Sequence, residues 1–157
     1  MHVRHRTVPH GFTLIELMAT IAVLAIILTL AAPSFRQLLE AQRIRATAFD
    51  VVSDLILARS EALKRGATTT LAPAAGGWAS GWSLTVGTEE ISKKNQVGGG
   101  VSFATAPGSI SFNGSGRVSS SASVVRFELR TSDASRQRCI SLDPSGRPKS
   151  TTSACPT

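Results

Sequence analysis

The chain has 157 residues, enough for one domain with a core of its own. Charged residues make up 17%, aromatics 5% with no Tyr, and 17 Lys and Arg against 10 Asp and Glu give a formal charge of +7. All three His (His2, His5 and His10) lie in the first ten residues, so a mature chain without that segment has no Ser–His or Cys–His catalytic pair and no His-containing metal site.

The first eleven residues, MHVRHRTVPHG, are short and basic with no apolar core. Phe12 to Ala32 then runs apolar with a single charge, Glu16. At ~1.5 Å per residue this stretch reaches about 31 Å, the thickness of a bilayer's hydrocarbon core. Arg4 and Arg6 ahead of it favour a cytoplasmic N-terminus. A secretory signal peptide would instead carry about 7–15 apolar residues before a small-residue cleavage site. Ala31-Ala32 offers such a site, but the stretch is longer and carries Glu16 near its start. An unpaired carboxylate there costs about 3 kcal/mol on insertion scales, so a partner cation is expected.

From Ser34 to Arg65 the pattern predicts a continuing helix, with a mild break near Pro33. Phe35, Leu38, Leu39, Gln42, Ala46, Phe49, Val52, Leu55, Ile56 and Leu63 recur at steps of three and four and form the expected packed stripe. Lys64 and Arg65 suit the negative end of the helix dipole, and Gly66 is the expected cap. Ala67 to Thr157 reads as short strands and turns. Thr68–Leu71, Trp82–Val86, Ser109–Phe112, Val125–Arg130 and Cys139–Leu142 are the predicted strands. Gly98–Gly100 and Ser119–Ser123 read as loops, and Asn113–Gly116 and Asp143–Gly146 as turns. Trp78 and Trp82 are expected in the core.

His10-Gly11-Phe12-Thr13-Leu14-Ile15-Glu16-Leu17 resembles the class III signal of type IV pilins and pseudopilins. The resemblance implies cleavage after Gly11 by a prepilin peptidase, and N-methylation of Phe12. Glu16 matches the family's assembly glutamate and Pro33 its helix-kinking proline. Glu16 would pair with the Phe12 amine of a neighbouring subunit, so that each buried charge neutralises another. Ala58-Arg59-Ser60-Glu61-Ala62, Trp78 with Gly81-Trp82, Ser111-Phe112 before Gly116, and Cys139-Ile140, Gly146-Arg147 and Cys155 narrow the resemblance to the GspH/FimT branch. That branch implies an α+β, type IV pilin-like fold, with a long N-terminal helix packed on an antiparallel β-sheet head. The expected layout is a leader over 1–11, a transmembrane helix over 12–33, an amphipathic second half over 34–65 and a periplasmic head over 66–157.

Cys139 and Cys155 are the only cysteines. An exported chain with an even count is expected to pair them, fastening a tail rich in Ser, Thr and Pro. A basic turn, Gly146-Arg147-Pro148-Lys149, lies between them, with Arg136 and Arg138 nearby, and Arg126 and Arg130 on one face of their strand. FimT members linked to natural transformation carry a DNA-binding Gly-Arg-x-Arg motif in this tail. Here Lys149 keeps the charge without the bidentate fork, and Pro148 stiffens the turn. The resemblance implies a minor type IV pilin in the inner membrane, with other major and minor pilins as partners and non-specific DNA binding for uptake through Gly146, Arg147, Lys149, Arg136 and Arg138. The alternative is a GspH-type minor pseudopilin of a type II secretion system. Neither reading calls for a cofactor, a metal or catalysis.

Overall fold

The computed structural model describes residues 12–119 and 124–156. The expected leader with Gly11, and positions 120–123 of the Ser-rich loop, lie outside the described residues. One helix, α1 (Leu14–Arg65), precedes the strands β1 (Thr69–Ala74), β2 (Gly77–Val86), β3 (Glu89–Lys94), β4 (Val101–Thr105), β5 (Ile110–Phe112), β6 (Val125–Thr131), β7 (Gln137–Leu142) and β8 (Pro148–Thr151). The fold is α+β, with the strands in two antiparallel sheets ordered β3-β2-β1-β5 and β4-β6-β7-β8.

The chain divides into two compact units, one through Leu38 and one from Leu39. In the first, α1 runs through Pro33 as an unbroken helix, where the sequence pattern predicts a mild break. Its apolar side chains, Leu14 to Leu30, are exposed. Among the described residues this is one helix long and apolar enough to cross a membrane.

In the second unit the packed face of α1 is Ile44, Thr47, Ala48, Val51, Leu55, Ala58 and Ala62. The expected stripe is therefore corrected. Of its members only Leu55 is buried and Val52 half-buried, while Phe49, Ile56 and Leu63 face solvent. The physical reason is close approach. The Thr69 hydroxyl donates to the Ala58 carbonyl at 2.9 Å, and small side chains let β1 come that near. A reading weighted by side-chain size selects the bulkier, outward face.

Opposite α1, Trp78, Trp82, Phe103 and Phe127 form an aromatic cluster, with the Trp78 and Phe127 rings edge-on at 4.8 Å. Both indoles are buried and satisfied, Trp78 donating to the Pro107 carbonyl and Trp82 to the Asp54 carboxylate, each at 2.6 Å. The expected strands are present, with β1 and β2 longer than predicted. Three more appear. β3 is a charged edge strand, EEISKK, whose composition hides it from a hydrophobic pattern. β4 follows directly on the Gly98–Gly100 run. β8 corrects the reading of Pro148-Lys149 as turn: both belong to an edge strand, where the missing N–H of Pro148 opens the strand without loss.

Candidate functional site

The N-terminal site begins with Thr13. Its side-chain oxygen accepts from the Glu16 N–H at 3.3 Å, and the Glu16 carboxylate accepts from the Thr13 N–H at 2.9 Å and from its hydroxyl at 3.0 Å. This is a capping box, satisfying free donors at the start of α1. Glu16, expected to meet a neighbour's amine, thus has a first partner in its own chain. The Thr-x-x-Glu spacing carries that signal in the sequence. A carboxylate retains further lone pairs for a second partner. Phe12 is exposed beside it.

The basic residues of the second unit fall into separate groups. Arg136 and Arg138 line an open cleft of about 370 Å³ with Arg45, Ala41 and Ile44 of α1. Arg147 instead borders a cleft with Ile56, Arg59 and Leu63. The stretch of helix from Arg45 to Arg59 separates the two groups by about 21 Å along α1. The five residues that the sequence groups as one DNA contact are therefore not one surface.

Arg147 closes the β7–β8 turn. The Asp143 carboxylate accepts from the Ser145 hydroxyl at 2.5 Å and from the Arg147 N–H at 3.1 Å, and the Asp143 carbonyl accepts from the Gly146 N–H at 2.9 Å. The bonds to its carboxylate, that of the Ser145 hydroxyl foremost and then that of the Arg147 N–H, hold the Asp143 carboxyl below the usual range. Lys149 is exposed on β8 and pairs in register with Ser141, which pairs with Arg126. Across two strand spacings, Arg126 and Lys149 sit about 10 Å apart on one sheet face. Arg126 contributes less than its charge suggests, since its Nε is buried without a partner among the described residues. Arg130 is engaged too, bonding the Glu128 carboxylate at 2.6 and 2.8 Å.

Cys139 and Cys155 form a disulfide with Cα atoms 4.9 Å apart. Cys139 stands opposite Glu128 in the β6–β7 register, and the Cys155 sulfur lies 3.4 Å from the Phe127 carbonyl. The tail is thereby pinned over the row that holds Glu128, which is 8% exposed.

At the other end of the sheet, the β6–β7 turn gives a pH prediction. Asp133 accepts from the Thr131 hydroxyl at 2.6 Å and from the Ser135 N–H at 3.0 Å. The Thr131 bond first, then those of Ser135, lower its carboxyl from 3.8 to about 2. A depressed carboxyl stabilises the fold above its unfolded value and loses that contribution as pH falls through the folded one. The wild-type melting temperature should therefore fall between pH 4 and pH 2 more steeply than that of Asp133→Asn (roughly the interval between the two values). Parallel slopes in thermal melts would refute the role of this carboxylate.

Among the described residues, no group of three or more His, Cys, Asp or Glu could hold a metal ion. Two features were not marked by sequence reasoning as functional: the exposed face of α1, read as core, and Arg117, which the sequence offers only as one more charge.

One unit holds an apolar helix of membrane length and the other two antiparallel sheets, the parts of a pilin-like protein. Comparison with known proteins agrees. A model of the prokaryotic N-terminal methylation motif matches residues 8–32. A model described as the type II transport protein GspH matches residues 47–146, more than half of the chain, and the chain belongs to that family. No curated protein matches significantly. Two crystal structures of the type IV minor pilin FimU from Pseudomonas aeruginosa (strain PAO1) are similar in fold. One is 17% identical with a TM-score of 0.63, over 75% of this chain and 96% of that chain. The other is 18% identical with a TM-score of 0.60, over 72% and 98%. As a member of that family the chain is a pilin- or pseudopilin-like structural protein rather than an enzyme.

Proposed function

We propose that this chain is a minor type IV pilin of the FimT kind. Prepilin peptidase removes residues 1–11 by cleaving after Gly11, and Phe12 becomes the methylated N-terminus. Residues 12–33 anchor the chain in the inner membrane, 34–65 continue the helix, and 66–157 form the periplasmic head. Glu16 then draws the chain into a filament of major and minor pilins by meeting a neighbour's Phe12 amine, and Pro33 shapes the helix within it.

The observation that carries this reading is the outward face of α1. Phe49, Ile56 and Leu63 recur every seven residues and are 70%, 54% and 51% exposed. A period of seven drifts only about 20° per repeat on an α-helix, so the three share one stripe. Large apolar groups in line on a helix suit burial against a neighbouring helix in an assembly. The test is Phe49→Glu with Ile56→Glu in the full chain. Both side chains are exposed, so the variant should fold and be processed, yet be missing from sheared filaments by immunoblot. Normal incorporation would overturn the assembly role of this face.

The second reading concerns DNA. Arg147 and Lys149 are exposed and join no ion pair among the described residues. Such cations contact phosphates without reading sequence and release counterions, which suits DNA uptake in transformation. The GspH family description also supports the alternative, a minor pseudopilin of a type II secretion system. Deletion in the host separates the two: loss of pili and transformation marks the pilin, and loss of protein secretion marks the pseudopilin.

A further inference from the structure

Two turns of the head share one construction. Asn113-Gly114-Ser115-Gly116-Arg117 and Asp143-Pro144-Ser145-Gly146-Arg147 correspond residue for residue. In each, the first side chain accepts from the Ser hydroxyl, at 2.7 Å in one and 2.5 Å in the other. It also accepts from the Arg N–H, at 3.0 and 3.1 Å. In each, the Gly N–H donates to the first residue's carbonyl at 2.8 and 2.9 Å, and the first residue's N–H donates to the Arg carbonyl at 2.9 and 3.3 Å. The glycines take φ of 71° and 81°. A turn bonded on every side fixes the backbone of the arginine that closes it.

The two turns also stack. The Val118 N–H donates to the Pro144 carbonyl at 3.2 Å, and Gly146 lies against the Gly116 carbonyl. That carbonyl accepts from Arg59 Nε at 3.1 Å, which ties the pair of turns to α1. With Gly146 in contact with Gly116, the Cα atoms of Arg117 and Arg147 are within about 10 Å of each other. Both arginines are exposed, and neither joins an ion pair among the described residues. The platform holds one carboxylate rather than two, because Asn113 stands where the other turn has Asp143. That carboxylate is already bonded to Ser145 and to the Arg147 N–H. Glu61, the acid on this end of α1, is engaged with Lys64 and Arg65.

We propose that Arg117 and Arg147 form a two-arginine clamp on the phosphodiester backbone of DNA, with Lys149 beside it. The proposal rests on the DNA-binding reading above and changes its residues: Arg117 joins the site, and Arg136 and Arg138 leave it. Two guanidinium groups on rigid neighbouring turns reach adjacent phosphates with little ordering cost, and each contact releases counterion.

The test uses the full chain in detergent and a random-sequence DNA duplex, followed by fluorescence anisotropy from 50 to 200 mM salt. Arg117→Ala and Arg147→Ala should each weaken binding about tenfold, as expected for loss of a hydrogen bond to a charged group. Each should also lower the slope of log affinity against log salt by about 0.9. Arg136→Ala with Arg138→Ala should leave the slope unchanged. Arg117→Gln repeats the measurement with a side chain of similar length, and melting curves verify folding. If Arg147→Ala weakens binding and both Arg117 variants bind as wild type, the clamp is overturned and the simpler DNA reading stands. If the wild-type chain binds no duplex at 50 mM salt, the DNA reading itself falls and the clamp with it.

Discussion

Gly146→Ala is expected to destabilise the second unit by about 2–4 kcal/mol, against about 1 kcal/mol for Gly77→Ala. The two glycines have nearly the same backbone, φ 81° and 85°, so both alanines carry the same left-handed strain. Their surroundings differ. A Cβ at Gly77 meets nothing within 4 Å. A Cβ at Gly146 collides with the Gly116 carbonyl, which cannot swing aside because it already accepts from Arg59. It also meets Phe112 Cε1 at 3.1 Å, a side chain that is fully buried. The strain is common to both variants, and the collision belongs to Gly146 alone. In thermal melts, Gly146→Ala should lower the midpoint by on the order of 10 °C and Gly77→Ala by a few degrees. Equal shifts would mean that the stacked turns yield readily, and the rigid platform beneath Arg117 and Arg147 would be lost with them. A loosened platform should also weaken duplex binding in Gly146→Ala at temperatures where the chain is still folded.

The parts of this fold that were legible in the sequence are those with local causes. The apolar run from Phe12, the helix through Arg65 and its end at Gly66, the alternation of β6 and the cysteine pair each follow from residues close in the chain or from composition. What escaped depends on partners far away. The packed face of α1 is written in Ala48, Ala58 and Ala62, whose burial makes sense only once β1 lies within hydrogen-bonding reach of the helix. β3 has one apolar residue, Ile91, because an edge strand needs its ladder more than a packed face. The capping box of Thr13 and Glu16 was legible in its spacing but hidden behind the membrane signal. The correspondence of the two turns was also printed in the sequence, as Asn-Gly-Ser-Gly-Arg and Asp-Pro-Ser-Gly-Arg. Only their stacking makes it matter, because the arginines are 30 residues apart in the chain and neighbours in space. Conversely, Arg136 and Arg147 are close in sequence and lie at different ends of α1's packed segment. Charge counted along the chain misjudges a surface whenever a strand carries the chain from one end of a sheet to the other.

Removing the disulfide should cost about 3 kcal/mol, from the closure entropy of a bridge spanning 16 residues. The appropriate variant is Cys139→Ser with Cys155→Ser, since a single change leaves a reactive thiol. The tail has little else to hold it. Beyond β8, among the described residues, its side-chain contacts are long ones, Ser153 to Thr151 and the bridged Cys155 sulfur to the Phe127 carbonyl, each at 3.4 Å. Once released it frays, and water reaches Glu128 as it already reaches Arg130, leaving a surface pair of small worth. The β7–β8 turn should not follow it. That turn is bonded through Asp143, Ser145, Gly146 and Arg147, and it packs on the other turn and on Arg59, none of which involves the tail. The double variant should therefore melt on the order of 10 °C lower than the oxidised wild type, coincide with the wild type in reductant, and keep the wild-type salt dependence of duplex binding. Unchanged melting would mean that the tail docks without its bridge. A lost salt dependence would mean that the tail, and not the stacked turns, orders the arginines. The two readouts thus separate what holds the end of the chain from what presents its charges.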